Sequence, residues 1–290
     1  MIVVNPQPPL EQGHILLPDG RELAWSRWGT SKKSAVLFCT GAGMSGSLAF
    51  AEADLDAHGI CLIGIDRPGL GRSTPNPAGT LTTWASDVRL LTDSLHLRDV
   101  RAVGFSQGAP FALQLGAVEA VRAVAVVAGQ DDFHFEKVFR QLSPSVTEMI
   151  NQLCSNRQGF KSTIEASANA DWLRTMIMTM SSEVDRRIYG DEPFASAYRR
   201  CLEEGFSKGA EGYSNDLLNT WSPWPFQLED LRVPVDVWYG KQDTSPVHSP
   251  DFGATMISRL HDGRYFLEEE SGSSILWTSG RRILAELLTR

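Results

Sequence analysis

The sequence predicts an α/β protein: a mostly parallel central sheet flanked by helices, with a helical segment inserted late in the chain. Three observations predict it. Short continuous apolar runs, Ala35–Cys39, Ile60–Ile65 and Val121–Ala128, alternate with stretches of helical period, the pattern of strands buried on both faces by helices. The run Val100–Phe105 passes into a helix through a tight turn that is rich in small residues. Strand pattern then disappears from 130 to 221 and returns at Val233–Tyr239.

Taken in order, Gly13–Leu17 and Glu22–Trp28 flank Pro18-Asp19-Gly20 and read as a hairpin leading into the sheet. The strand 35–39 ends in the glycine-rich turn Thr40-Gly41-Ala42-Gly43-Met44, with no Gly-Lys-Ser/Thr after it to make a phosphate cradle. A helix is expected over Ser47–His58. The next strand closes on Asp66-Arg67-Pro68-Gly69, where Asp66 and Arg67 are expected to pair with each other. Over Thr82–Leu95, Trp84, Val88, Leu91 and Leu95 share one helical stripe. A helix through Leu115 and the strand 121–128 continue the strand-helix alternation of a parallel sheet. Helix 250–260, strand Tyr265–Leu267 and a helix from Ile275 to Leu288 finish the chain. The expected division is a core over 1–129, a helical cap over 130–221 and the rest of the core over 222–290.

A net charge of -8 and a pI near 5.3 disfavour nucleic acid or an anionic membrane surface as partner, since both repel such a chain. The expected partner is a small, largely apolar molecule; oligomeric state is not legible. Met1–Leu10 lacks a basic segment followed by an apolar core, which reads as cytoplasmic. Cys39, Cys61, Cys154 and Cys201 show no metal-ligand spacing and read as structural thiols. No metal cluster, nucleotide fingerprint or flavin motif is present, so no cofactor is expected.

The chemistry concentrates at Gly104-Phe105-Ser106-Gln107-Gly108, which fits the G-x-S-x-G nucleophile elbow. A serine hydroxyl attacks only when it is exposed, aimed and relieved of its proton, so it sits on a sharp turn where flanking side chains would collide. The N–H of Gln107, at the start of the following helix, and that of Ala42 are the expected oxyanion donors. Phe133, Phe135, Phe139, Trp172, Met176 and Met180 of the cap, with Met44, are candidate pocket walls. Asp243 follows a strand end, on the edge where α/β sites form. Asp131 and Asp132 follow another.

With Asp66-Arg67-Pro68-Gly69-Leu70-Gly71-Arg72-Ser73, the elbow, Trp224-Pro225-Phe226 and the stretch from Val233 to Gly240 and Asp243, the chain resembles the α/β-hydrolase superfamily over nearly its whole length. The resemblance implies Ser106 as nucleophile, Asp243 as acid, and the Ala42 and Gln107 N–H groups as oxyanion hole. It makes the position of Asp131 and Asp132 a rival one for the acid. It also implies a histidine after the last strand, where Glu270-Ser271-Gly272-Ser273-Ser274 stands instead, with Ser273 at the expected position. A serine cannot serve as base at neutral pH. His58, His96 and His261 fall before strands, on the far edge of the sheet, and His14 lies in the hairpin. His248 and His134 remain as substitute bases. The expectation is a serine hydrolase of small esters, lactones or related acyl compounds, impaired by Ser273; the alternative is a non-catalytic, receptor-like binding protein on the same fold.

Overall fold

The computed structural model describes residues 5–31 and 34–290; the first four residues of the stretch read for a targeting segment lie outside them. Eight strands form one sheet. They are β1 (Glu11–Leu16), β2 (Glu22–Trp28), β3 (Ser34–Cys39), β4 (Cys61–Ile65), β5 (Asp99–Phe105), β6 (Val124–Val127), β7 (Val235–Gly240) and β8 (Gly263–Glu268), in the spatial order β1-β2-β4-β3-β5-β6-β7-β8. β1 and β2 make the expected hairpin, and β2 meets β4 antiparallel. Every pairing from β4 through β8 is parallel.

The apolar strands bury both faces, and their two-residue period sorts the core in two. Val36 and Phe38 of β3 join one cluster, while Ala35, Leu37 and Cys39 join the other. The second cluster is closed by α1 (Leu81–Ser94) and α2 (Ala109–Ala117). Trp84, Val88 and Leu91 on the inner stripe of α1 are buried there, and Thr80 caps it by accepting from the Thr83 N–H at 3.1 Å.

Between β6 and β7 the chain runs through α3 (Glu136–Phe139), α4 (Pro144–Ser155), α5 (Arg157–Ser167), α6 (Ala170–Met180), α7 (Glu183–Gly190), α8 (Phe194–Gly205) and α9 (Glu211–Thr220). Their apolar faces pack into the first cluster together with α11 (Ile275–Leu288), which runs over the residues the sequence predicts. Helices therefore cover both faces of a mostly parallel sheet. No helix among the described residues is long and apolar enough to cross a membrane.

Two predicted helices shrink. Over 47–58 only two single 3-10 turns form, Glu52–Asp54 and Asp56–His58, because Ala51 takes a left-handed φ of 50° that no helix continues through. Leu48, Ala49, Phe50 and Leu55 are buried there all the same. Over 250–260 the left-handed residues Phe252 and Gly253 delay the start, leaving α10 (Ala254–Ser258).

Candidate active site

Ser106 sits between the end of β5 and the start of α2 with φ +51°, a backbone conformation that costs a β-carbon-bearing residue about 1–3 kcal/mol and persists only where packing enforces it. The flanking glycines are the enforcement. A Cβ at Gly108 would lie 2.0 Å from the Cys39 carbonyl oxygen, and one at Gly104 would lie 2.7 Å from the Ala109 Cα. The turn is therefore pressed against the end of β3, which carries the glycine-rich loop.

That loop is held from below by Arg67, whose side chain is fully buried. Its Nη1 donates to the Thr40 carbonyl at 2.5 Å and to the Thr40 hydroxyl at 3.1 Å, and its Nη2 donates to the Gly41 carbonyl at 2.9 Å. Its Nε donates to Asp216 of α9 at 2.7 Å. The pairing expected between Asp66 and Arg67 does not form. Asp66 instead accepts from the Gly46 and Arg72 N–H groups, and burial pushes its carboxyl above the usual carboxylate value. One short motif thus sends its two charges to different partners, because each finds a different set of backbone groups to satisfy.

Asp243 and His248 share the loop after β7. The Asp243 N–H donates to the Gly240 carbonyl at 3.1 Å, and one carboxylate oxygen accepts the Ser245 N–H at 2.9 Å. The other oxygen lies 2.6 Å from His248 Nδ1, and His248 Nε2 lies 2.8 Å from Ser106 Oγ. An ionised carboxylate only accepts, so Nδ1 carries the proton and Nε2 of the neutral ring is left to accept the serine O–H. The pair is shielded, with side-chain exposures of 7% for His248 and 2% for Asp243. Ser249 fastens the loop to the end of β6: its N–H donates to the Gly129 carbonyl at 3.0 Å and its hydroxyl to Asp131 at 2.7 Å.

Of the two substitute bases, His248 and not His134 lies within hydrogen-bond reach of Ser106, and the expected position, Ser273, does not. Ser273 is not its partner; the Ser273 N–H donates to the Asp185 carboxylate of α7 at 3.0 Å, and the Ser274 N–H joins it at 2.8 Å. His134 points elsewhere, its Nε2 2.9 Å from the Trp221 carbonyl. The rival carboxylates are engaged too. Asp131 takes the Ser249 hydroxyl and the Asp132 N–H, while Asp132 meets Arg259 at 3.2 Å. His58, His96 and His261 precede β4, β5 and β8, on the opposite edge.

A cavity of about 360 Å³ opens beside Ser106. The sheet side contributes Gly41, Ala42, Ser106, Gln107, His248 and Ser273, and the helical segment contributes Trp172, Met176 and Met180 as predicted, with Met149, Ile177 and Trp221. Four predicted wall residues are not in it. Met44, at the end of the glycine-rich turn, is 1% exposed in the first core cluster, Phe133 packs edge-on against Trp221, Phe135 lies under the Arg259 guanidinium, and Phe139 packs against the first core cluster. Of residues 130–140 only Gln130 reaches the cavity, and the rest of the helical wall comes from α4 to α9 further on. Among the described residues no Asp, Glu, Lys or Arg lines the cavity.

His248 is the residue that sequence reasoning underweighted. The signal was present: an aspartate and a histidine five positions apart in one loop, with Pro246 stiffening the link. No three His, Cys, Asp or Glu residues among those described converge as metal ligands.

Residues 34–249 match the family model described as alpha/beta hydrolase fold. Among solved structures, a bromoperoxidase from Bacillus anthracis is similar at 17% identity and a TM-score of 0.69, over 98% of both chains. An enol-lactonase from Burkholderia xenovorans LB400 is similar at 18% identity and a TM-score of 0.68, over 96% of this chain and all of the other. An esterase from Exiguobacterium antarcticum is similar at 17% identity and a TM-score of 0.64, over 95% of this chain and 97% of the other. Likeness at this identity speaks to the fold, and three different activities share it.

Proposed function

Since the chain belongs to the α/β-hydrolase fold family, we propose that it is a working serine hydrolase of neutral, apolar esters or lactones, with Ser106 as nucleophile, His248 as base and Asp243 as its orienting acid. The observation that carries this reading is the hydrogen-bonded line Asp243–His248–Ser106, with contacts of 2.6 and 2.8 Å. The spacing is that of a nucleophile, a general base and the group that holds the base in its reactive tautomer.

In this mechanism Ser106 Oγ attacks the carbonyl carbon as its proton passes to His248 Nε2. The N–H groups of Ala42 and Gln107 receive the charge that develops on the carbonyl oxygen. Collapse expels the alcohol, protonated by the His248 imidazolium, and leaves an acyl group on Ser106. Water, deprotonated by His248, then releases the acid and restores the serine. Asp243 stays ionised and steadies the imidazolium.

The substrate class rests on the cavity. A space of about 360 Å³ with no Asp, Glu, Lys or Arg in its wall among the described residues offers no opposite charge to a carboxylate, phosphate or ammonium, each of which pays heavily for losing water. The helices from 130 to 221 act as the cap that closes this space. The test is a serine-reactive fluorophosphonate together with 4-nitrophenyl butyrate. The expected outcome is one modified residue, Ser106, and turnover that disappears as it is modified. Absence of both, with saturable binding of a neutral apolar ligand, would replace the enzyme with a receptor-like binder.

A further inference from the structure

We propose that the buried pair Arg67–Asp216 is a positioning device for the oxyanion hole: it fixes the Gly41–Ala42 peptide so that the Ala42 N–H faces the developing oxyanion. This rests on the reading of Ser106 as nucleophile. The argument begins with the peptide unit. Gly41–Ala42 is not among the cis bonds, so its carbonyl and its N–H point in opposite directions across a rigid plane. Whatever holds the carbonyl on one side aims the N–H to the other.

Arg67 holds that carbonyl at 2.9 Å and the preceding one, of Thr40, at 2.5 Å. Two neighbouring peptides gripped by one planar guanidinium cannot flip without breaking both contacts. The Thr40 hydroxyl closes the same turn by donating to the Met44 carbonyl at 3.1 Å. Among the described residues the Ala42 N–H meets no protein acceptor, and Ala42 lines the cavity beside Ser106. The donor is therefore available, and aimed by a side chain that does not itself reach the cavity.

Charge adds to geometry. A cation bonded to an amide oxygen draws electron density from that amide and makes its N–H a better donor. Arg67 acts on Ala42 through one peptide plane, and substrate need not touch it. Asp216 supplies the countercharge, and it does so from α9, the helix that also brings Tyr213 and Leu217 to the cavity wall. Positioning of the oxyanion donor is thus tied to seating of a cavity-forming helix, across 149 positions of sequence.

The experiment compares Arg67→Lys and Asp216→Asn with the unaltered chain. Turnover of 4-nitrophenyl butyrate is measured along with binding of a trifluoromethyl ketone, whose adduct with Ser106 carries an oxyanion, and of the matching methyl ketone, which binds without one. Arg67→Lys should lower kcat by roughly 10²-fold with KM within about threefold, and weaken the trifluoromethyl ketone in proportion while sparing the methyl ketone. Asp216→Asn, of equal volume, should act in the same direction by about tenfold, and decides the matter if Arg67→Lys does not fold. Unchanged kcat in a folded variant, or equal weakening of both ketones, overturns the proposal and leaves the hydrolase reading standing. An unaltered chain that neither turns over the ester nor prefers the trifluoromethyl ketone overturns both.

Discussion

Two loops leave neighbouring parallel strands on the same edge of the sheet, one after β7 and one after β8, and they have taken opposite parts. The loop after β7 carries Asp243 and His248, both turned toward Ser106. The loop after β8, where the family resemblance leads one to expect the base, presents the Ser273 and Ser274 N–H groups to Asp185 of α7. One loop carries the proposed base and acid, and the other anchors the helical segment. The lesson is that a triad is a set of distances, and more than one loop on that edge can meet them.

Removing the proposed base from the first loop should have the largest effect. His248→Gln should lower kcat on 4-nitrophenyl butyrate by about 10⁴- to 10⁶-fold, and Asp243→Asn by about 10⁴-fold, both without loss of thermal stability beyond a few degrees. If His248→Gln keeps more than a tenth of the activity, the two loops have been assigned the wrong way round.

A second test bears on how the first loop is fastened. Burial pushes the Asp131 carboxyl up to about 6, against the Ser249 hydrogen bond that pulls it down. Between about pH 4 and 6 the folded chain holds a proton that the unfolded chain has released, so this group's contribution to stability falls as pH rises through that window, by about 3 kcal/mol at most. Asp131→Asn should therefore raise the unfolding midpoint above pH 6, by several degrees, and leave it unchanged near pH 4, with activity within about tenfold. A midpoint raised equally at both values would show that ionisation of Asp131 is not the cause.

The smallest expected effect is in the second loop. Ser273→His restores the residue that the resemblance leads one to expect, yet kcat should stay within about tenfold, because Ser106 already has His248 at 2.8 Å. A rise of orders of magnitude would return the base to the loop after β8.

Much of this was legible from residue order. The hairpin, the alternation of buried strands and helices, the turn at Ser106 and the carboxylate at Asp243 all follow from local rules: apolar period, and glycines where a Cβ would strike backbone. Trp172 and Met176 reach the cavity as read, whereas Phe133, Phe135 and Phe139 do not. An apolar residue in a covering helix has two places to be dry, and pattern alone does not choose between them.

A serine on a sharp turn at the edge of a parallel sheet is legible in residue order, since sterics within a few residues dictate it. Which histidine reaches that serine, and which groups hold the glycine-rich loop, is set by the assembled fold. Those choices depend on contacts between segments 142 and 149 positions apart. Each is settled by where a loop can find partners for its buried polar groups once the sheet has assembled.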